Sequence, residues 1–352
     1  MDILEKAEKL LNEGKPRKAL DLLKKTKKDD AFAEYLKAEA SRVGGDFHAA
    51  ITHYDNARRG HIEDPELAVN ILNGMAACLR TLGKSEPAYT FAHEAGRIAQ
   101  EYELEDAERH SRLEMAMALR AKGNLEQSRA LLEMILTEFE ELGDSSGSTY
   151  IHWALGGIFR LQGKFAQSVA EFKKAVALAK KDKDETSLGY GYFGLAGVSR
   201  VAGDIAGSEK YYRIAADIFK DSEDLFARAY VNCGLANALR QKGAHDEAYT
   251  RYQEADKLYS KINDEPDLGF VKWGLGNILV KRGKLKEAMK QFEKALALFE
   301  KYDEKRGELL TRLSIASLTY LLGDAEAADR IYDAAVAEAK NEGLHTYLET
   351  LT

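Results

Sequence analysis

The stretch FVKWGLGNILVKRGKLKEAMKQFEKALALF, residues 270–299, decides the fold of this chain. Apolar residues recur at helical spacing on both sides of Gly283. Glycine tolerates the left-handed backbone conformation that commonly follows a helix end. The stretch therefore predicts two helices, A and B, joined by a tight turn at Gly283.

The same turn recurs along the chain, usually as Arg-x-x-Gly followed by an alanine-rich helical pattern. The turn glycines are Gly14, Gly45, Gly83, Gly123, Gly163, Gly203, Gly243, Gly283 and Gly323. From Gly83 onward they are 40 residues apart, after steps of 31 and 38. A fixed period of this length is the signature of stacked helical units. We expect an all-α, right-handed superhelical solenoid of about nine helix–turn–helix repeats, forming a single domain over residues 1–352.

Small residues occupy positions where helices A and B must approach each other. Gly156, Ala196, Ala236 and Gly276 lie seven residues before a turn glycine, and large aromatics such as Phe172 and Phe292 lie nine after one. A small residue opposite a large one lets two helices pack at the short end of the usual interaxial range, about 8–10 Å.

These columns resemble the tetratricopeptide repeat, whose pattern is Leu-Gly in helix A, a turn glycine, and Ala, aromatic and Ala in helix B. The eighth unit matches with Leu275-Gly276, Gly283, Ala288, Phe292 and Ala295. The usual unit has about 34 residues and a closing proline, whereas this chain has Lys180, Lys220, Ser260 or Glu300 at that position, so helix B can extend. The repeat length and the GLGN sequence at 274–277 resemble the Pins/LGN group of scaffold proteins, and bacterial peptide-sensing regulators are similar in style.

The resemblance implies that helix A lines a concave groove, which in the Pins/LGN group binds extended partner peptides. It places the following residues on that groove: Arg42, Arg80, Arg120, Arg160, Arg200 and Arg240, three before the turn glycines; Trp153, Phe193 and Trp273, ten before; Tyr150, Tyr190, Tyr230 and Phe270, thirteen before; Asn237 and Asn277, six before.

The chemistry of these columns suits an extended acidic or phosphorylated segment. Arginine presents a planar fork to carboxylates and phosphates, aromatic rings offer rigid contact area, and asparagine can bond a peptide backbone. Gly157 and Gly197 would give such a segment room to lie close. Two alternatives stay open: the arginines pair with glutamates of the next repeat, and the aromatics pack neighbouring A helices together.

Composition limits the other functions. A net charge of −7 argues against a general nucleic-acid binder. No apolar run is long enough to span a membrane, and the charged N-terminal stretch is unlike a signal peptide. Two cysteines are too few for a secreted disulfide scaffold, so we expect a cytoplasmic protein with reduced thiols.

Several superficial signals for chemistry are set aside. The G-x-G-x-x-G pattern at 189–194 lies inside a predicted helix A, whereas the dinucleotide motif needs a preceding strand. The eight histidines lack metal spacing and are expected at the surface. We therefore predict no catalytic residue, no metal, no cofactor and no enzymatic activity.

Three functions follow in order. The first is an adaptor that binds a protein or peptide in the groove. The second is a structural subunit that docks or self-associates through its convex face or its ends, including the short segment 344–352. The third is a peptide-sensing regulatory domain.

Overall fold

Eighteen helices form the part of the chain that the computed structural model describes, residues 2–26 and 30–341, and no strand occurs there. They alternate as predicted, which confirms the all-α repeat class. The A helices are α1 (Ile3–Asn12), α3 (Ala31–Val43), α5 (Pro65–Thr81), α7 (Glu105–Ala121), α9 (Ser145–Leu161), α11 (Glu185–Val201), α13 (Leu225–Lys242), α15 (Glu265–Lys281) and α17 (Lys305–Leu321). The B helices are α2 (Pro16–Leu23), α4 (Phe47–Arg59), α6 (Ser85–Glu101), α8 (Leu125–Leu142), α10 (Phe165–Asp182), α12 (Ile205–Phe219), α14 (His245–Ile262), α16 (Leu285–Tyr302) and α18 (Ala325–Asn341).

All nine turn glycines adopt the left-handed conformation, with φ from 68° at Gly14 to 98° at Gly323. At eight of them a Cβ would meet nothing within 4 Å. The backbone conformation, rather than lack of space, is therefore what requires glycine at these turns. Gly45 is the exception.

The links between hairpins use a second left-handed residue, which the sequence did not predict. Five B helices end at one, twenty positions after the turn glycine: Glu103, Gly143, Lys183, Asn263 and Asp303. The following A helix often begins at a side-chain cap. At α15 the carboxylate of Asp264 accepts from the Asp267 backbone N–H at 3.3 Å, and Pro266 lies in the first turn, as expected.

Glycine and aromatic residues interlock between the helices. A Cβ on Gly156 would lie 2.9 Å from the ring of Phe172, which confirms the predicted close approach within a hairpin. Phe172 also lies against Gly194 of the next A helix, which the sequence analysis missed. The same aromatic-to-next-helix contact recurs in the pairs Tyr54–Gly74, Tyr212–Gly234 and Tyr252–Gly274.

The helices form two compact units. Unit 1 comprises Met1–Val198 and Ile214–Ala227, and unit 2 comprises Ser199–Arg213 and Arg228–Thr352. Unit 1 contains an apolar cluster around Met117, Phe139 and Ile151, and unit 2 contains one around Phe292 and Phe299. That the nine hairpins form one continuous solenoid stays a prediction. The segment 344–352, proposed as an exposed end, lies outside the described residues.

Candidate functional site

The six arginines of the column are all half-buried near the ends of successive A helices, but their surroundings differ. Arg42 Nη2 lies 2.5 Å from Glu39 Oε2 in its own helix, and the Tyr54 hydroxyl donates to the same carboxylate. Arg80 Nη2 lies 3.3 Å from Glu114 Oε2 of α7, the next A helix. The structural alternative, pairing with a glutamate of the next repeat, therefore describes Arg80.

Arg120 stacks on an aromatic ring of the following repeat. Its guanidinium carbon lies 5.3 Å from the centroid of the Trp153 ring, within cation–π range. A Cβ on Gly157 would lie 2.5 Å from Arg120 Nη1. The expectation that Gly157 leaves room for a partner chain is wrong, because the Arg120 side chain fills that space.

Arg160 and Arg200 are different from the other four. Within the described part of the chain, neither forms a hydrogen bond or an ion pair, and the Nε of each is buried. A buried donor without an acceptor carries a desolvation cost of about 1–3 kcal/mol. Since native proteins seldom leave such groups unpaired, the two guanidinium groups are the strongest candidates for binding an external acceptor.

In unit 2 a hydroxyl links two of the expected groove residues. The Tyr252 hydroxyl donates to Asn237 Oδ1 at 2.7 Å and accepts from Arg240 Nε at 3.3 Å. Burial raises the pKa of Tyr252 to about 12, so the hydroxyl keeps its proton at neutral pH. Arg240 also lies 4.9 Å above the ring of Trp273. This link was missed, because the sequence analysis treated Tyr252 only as a packing residue.

The asparagines are engaged within the protein. The Asn277 amide donates to the Trp273 carbonyl at 2.9 Å, and the Asn237 oxygen accepts from Tyr252. A peptide clamp at these positions requires the exchange of existing hydrogen bonds and stays a prediction.

The aromatic residues of unit 1 pack against one another across neighbouring A helices. The ring centroids of Trp153 lie 5.7 Å from Tyr150 and 6.3 Å from Tyr190, and Tyr190 lies 4.8 Å from Phe193. These contacts favour the packing alternative for α9 and α11. The buried Nε1 of Trp153 nevertheless finds no acceptor among the described residues.

The remaining expected groove residues lie in unit 2. Tyr230 and Phe270 are half-buried, and the Phe270 ring lies 4.7 Å from that of Phe299. The arginine column ends after Arg240. Its next two positions hold Val280, which packs against the Phe292 cluster, and Tyr320, which is 64% exposed.

The signals that were set aside have packing explanations. Residues 189–194 lie within α11, where Gly189 contacts Phe219 and Gly191 contacts Val176. Burial raises the thiol pKa of both free cysteines to about 12. One expectation is wrong: His152 is buried, not at the surface, with Nδ1 2.6 Å from Glu171 Oε2.

Two functional classes find no group to support them in the described residues. No cluster of three or more His, Cys, Asp or Glu side chains there could hold a metal ion. None of the described helices combines the length and apolar character needed to cross a bilayer.

Comparison with known proteins identifies the repeat. The family model for the tetratricopeptide repeat matches residues 108–181 and 225–301. The chain contains tetratricopeptide repeats. The two matched stretches include Arg120, Arg160 and Arg240 of the column. None of the curated protein sequences matches this chain significantly.

Solved structures share the tetratricopeptide-like fold at low sequence identity. The Cut9–Hcn1 hetero-tetramer of the APC/C aligns with a TM-score of 0.67 and 14% identity over 95% of this chain and 58% of that one. A Rap protein complexed with the Competence and Sporulation Factor aligns at 0.61 and 19% over 82% and 80%. BtubC from P. vanneervenii aligns at 0.52 and 19% over 62% and 92%. These likenesses concern the fold alone.

Proposed function

We propose that this tetratricopeptide-repeat chain is an interaction scaffold that binds an extended acidic or phosphorylated partner segment along its A helices. Arg160 and Arg200 carry the proposal. Four arginines of the column have a carboxylate, a ring or a hydroxyl beside them, whereas these two have neither hydrogen bond nor ion pair within the described residues.

Ligand chemistry follows from the guanidinium group. It donates several N–H bonds in one plane, which matches the paired oxygens of a carboxylate or phosphate. A carboxylate that satisfies the buried Nε would remove a desolvation cost that the free protein bears. Because Arg160 and Arg200 belong to successive repeats, we expect a ligand that carries more than one anionic group.

The structural neighbours are consistent with this function. One Rap structure holds the Competence and Sporulation Factor, and a Rap conjugation gene regulator is complexed with the Phr* peptide. The resemblance to Pins/LGN scaffolds points to peptide binding as well. A peptide-sensing regulatory domain is therefore a variant of the same proposal. We retain the predictions of a cytoplasmic location and of no enzymatic activity.

A titration with defined peptides tests the proposal. The probes are a fluorescein-labelled peptide of alternating glutamate and serine, its serine-phosphorylated form, and a lysine-for-glutamate version, followed by fluorescence anisotropy. We expect Arg160→Gln and Arg200→Gln each to weaken binding of the acidic peptides about tenfold or more, since hydrogen bonds to charged groups contribute about 1.5–3 kcal/mol. Arg160→Lys keeps the charge but loses the fork, and should bind at an intermediate level.

The matched control is Arg97→Gln. Arg97 is exposed on α6 and pairs with Glu101 at 2.9 Å, so its loss removes the same charge from a B helix. Equal weakening by Arg97→Gln would show a general charge effect, and unchanged binding in the Arg160 and Arg200 variants would refute the groove proposal.

One observation favours the second function, a structural or self-associating subunit. The last hairpin exposes Tyr320, Leu321, Leu322 and Tyr332 by 52% to 64% each. Terminal repeats usually carry a polar outer face, and exposed apolar patches mark interaction surfaces. If this surface associates, light scattering should show an oligomer that Leu321→Ser with Leu322→Ser converts to a monomer. A monomeric wild-type protein would contradict self-association.

A further inference from the structure

The sixth hairpin of the chain departs from its neighbours. Its B helix, α12, has 15 residues, whereas the other B helices from α6 onward have 17 or 18. Residue 223 is also not left-handed, although the equivalent residue is left-handed in five other repeats. We call residues 220–226 the strap. Its altered path needs a local physical cause.

That cause is contact with the first two hairpins, all within unit 1. The Arg17 backbone N–H donates to Glu223 Oε2 at 2.9 Å. The Leu225 N–H donates to the Gly44 carbonyl at 3.3 Å. The rings of Phe47 and Phe226 meet edge to face with centroids 5.3 Å apart. These pairs are far apart in sequence, so they are not contacts between successive repeats.

Gly45 shows how closely the strap lies. A Cβ on this glycine would be 2.7 Å from the backbone nitrogen of Phe226 and 2.9 Å from its Cβ. The corresponding position at the other eight turn glycines is open space. The missing side chain of Gly45 therefore serves two purposes, the left-handed turn and the approach of the strap backbone.

The strap also reaches the residues expected in the groove. The Tyr190 hydroxyl donates to Asp224 Oδ2 at 2.8 Å, while Asp224 Oδ1 accepts from the Ala227 N–H at 2.9 Å. Burial raises the pKa of the Asp224 carboxyl, and the positive charge of Arg42 opposes that rise. An acidic group of the protein itself thus occupies the Tyr190 position and feels the field of the first arginine of the column.

We propose that the strap is a built-in closure of unit 1: docked on Gly44–Phe47 and Arg17, it holds Asp224 against Tyr190, and an acidic segment binds there only after the strap leaves. This rests on the proposed function, because it describes how the same groove is regulated. Binding is weakened by the fraction of molecules in which the strap is docked.

The turn glycines offer a matched pair of variants. In Gly45→Ala the new Cβ collides with strap backbone, which cannot rotate away as a side chain could. Gly123→Ala imposes the same backbone strain, since φ is 84° there and 85° at Gly45, but its Cβ meets nothing within 4 Å. Phe226→Ala is a second, gentler variant that only removes the ring contact with Phe47.

Two measurements separate the strap from the function. Hydrogen–deuterium exchange should be faster in the segment 220–226 for Gly45→Ala and Phe226→Ala than for wild type or Gly123→Ala. The labelled glutamate–serine peptide should bind more tightly to those two variants by the same factor as the strap is released.

Each outcome decides one point. Unchanged exchange in both variants would overturn the docked strap. Faster exchange with unchanged peptide affinity would overturn the closure. If neither wild type nor the released variants bind the peptide while exchange is faster, the proposed function and its regulation fail and only the structural contact stands.

Discussion

Gly274→Ala is a sharp test of the interlock between aromatic side chains and the next A helix. Gly274 lies in the interior of α15, and the ring of Tyr252 from the preceding hairpin crosses directly over it. A Cβ at this position would lie 2.6 Å from the Tyr252 hydroxyl oxygen, and other ring atoms are closer. Tyr252 is fully buried and its hydroxyl bonds Asn237 and Arg240, so the ring is not free to move.

The magnitude follows from three opposing effects. Inserting a methyl group into a packed core costs about 1–3 kcal/mol. Displacing the hydroxyl from Asn237 adds about 1 kcal/mol for the lost hydrogen bond. Replacing glycine by alanine in a helix interior returns about 1 kcal/mol. We therefore expect Gly274→Ala to lower the free energy of unfolding by about 1–3 kcal/mol.

Gly96→Ala is the matched control. Gly96 lies in the interior of α6, and its Cβ would meet only Ser111 Cβ, at an ordinary 3.5 Å. This variant should therefore gain about 1 kcal/mol from helix propensity. Urea unfolding followed by far-ultraviolet circular dichroism measures both. Stabilisation by Gly274→Ala equal to that by Gly96→Ala would refute the interlock.

Two further predictions concern protonation. Burial, the neighbouring charge of Asp264 and the more distant Glu304 raise the pKa of Asp267 from 3.8 to about 8, although a hydrogen bond from Tyr259 opposes the shift. The folded state then holds a proton that the unfolded state releases, so the stabilisation is complete below about pH 4 and is lost as pH rises through about 8. The urea midpoint should fall over this range and fall less in Asp267→Asn; parallel profiles would contradict the shifted pKa. Cys78 and Cys233, each with a pKa near 12, should react slowly with Ellman's reagent at neutral pH and promptly in urea. Prompt reaction of the folded protein would show that the thiols are accessible.

The period of the turn glycines was sufficient to predict the helical hairpins, because each glycine marks a backbone conformation that other residues adopt only with strain. The sequence also predicted the approach of Gly156 to Phe172, since both lie in one hairpin. It did not predict Phe172 against Gly194, although glycines at 74, 194, 234 and 274 share a position nine residues before a turn. Contacts between hairpins depend on the rotation from one repeat to the next, which no single repeat encodes.

The candidate site was less predictable for the same reason. Glu39, three residues before Arg42, could have been recognised as its helical partner. Glu114 lies on the helix after Arg80, and Asp224 reaches Tyr190 only because α12 ends early. Local spacing gives the first of these pairs and cannot give the other two.

Six arginines in one register thus become unequal through their neighbours. Repetition places the same side chain at the same point of each A helix, but a carboxylate at Arg42 and Arg80 already satisfies the charge that a ligand would otherwise satisfy. At those positions an acidic ligand would have to replace an existing ion pair, and the exchange of one carboxylate for another yields little net free energy. At Arg160 and Arg200 the ligand would fill an unmet hydrogen bond, so the gain is larger. Binding strength along the column is therefore expected to concentrate at these two arginines, and a variant that frees Arg80, Glu114→Gln, should extend the binding surface by one repeat.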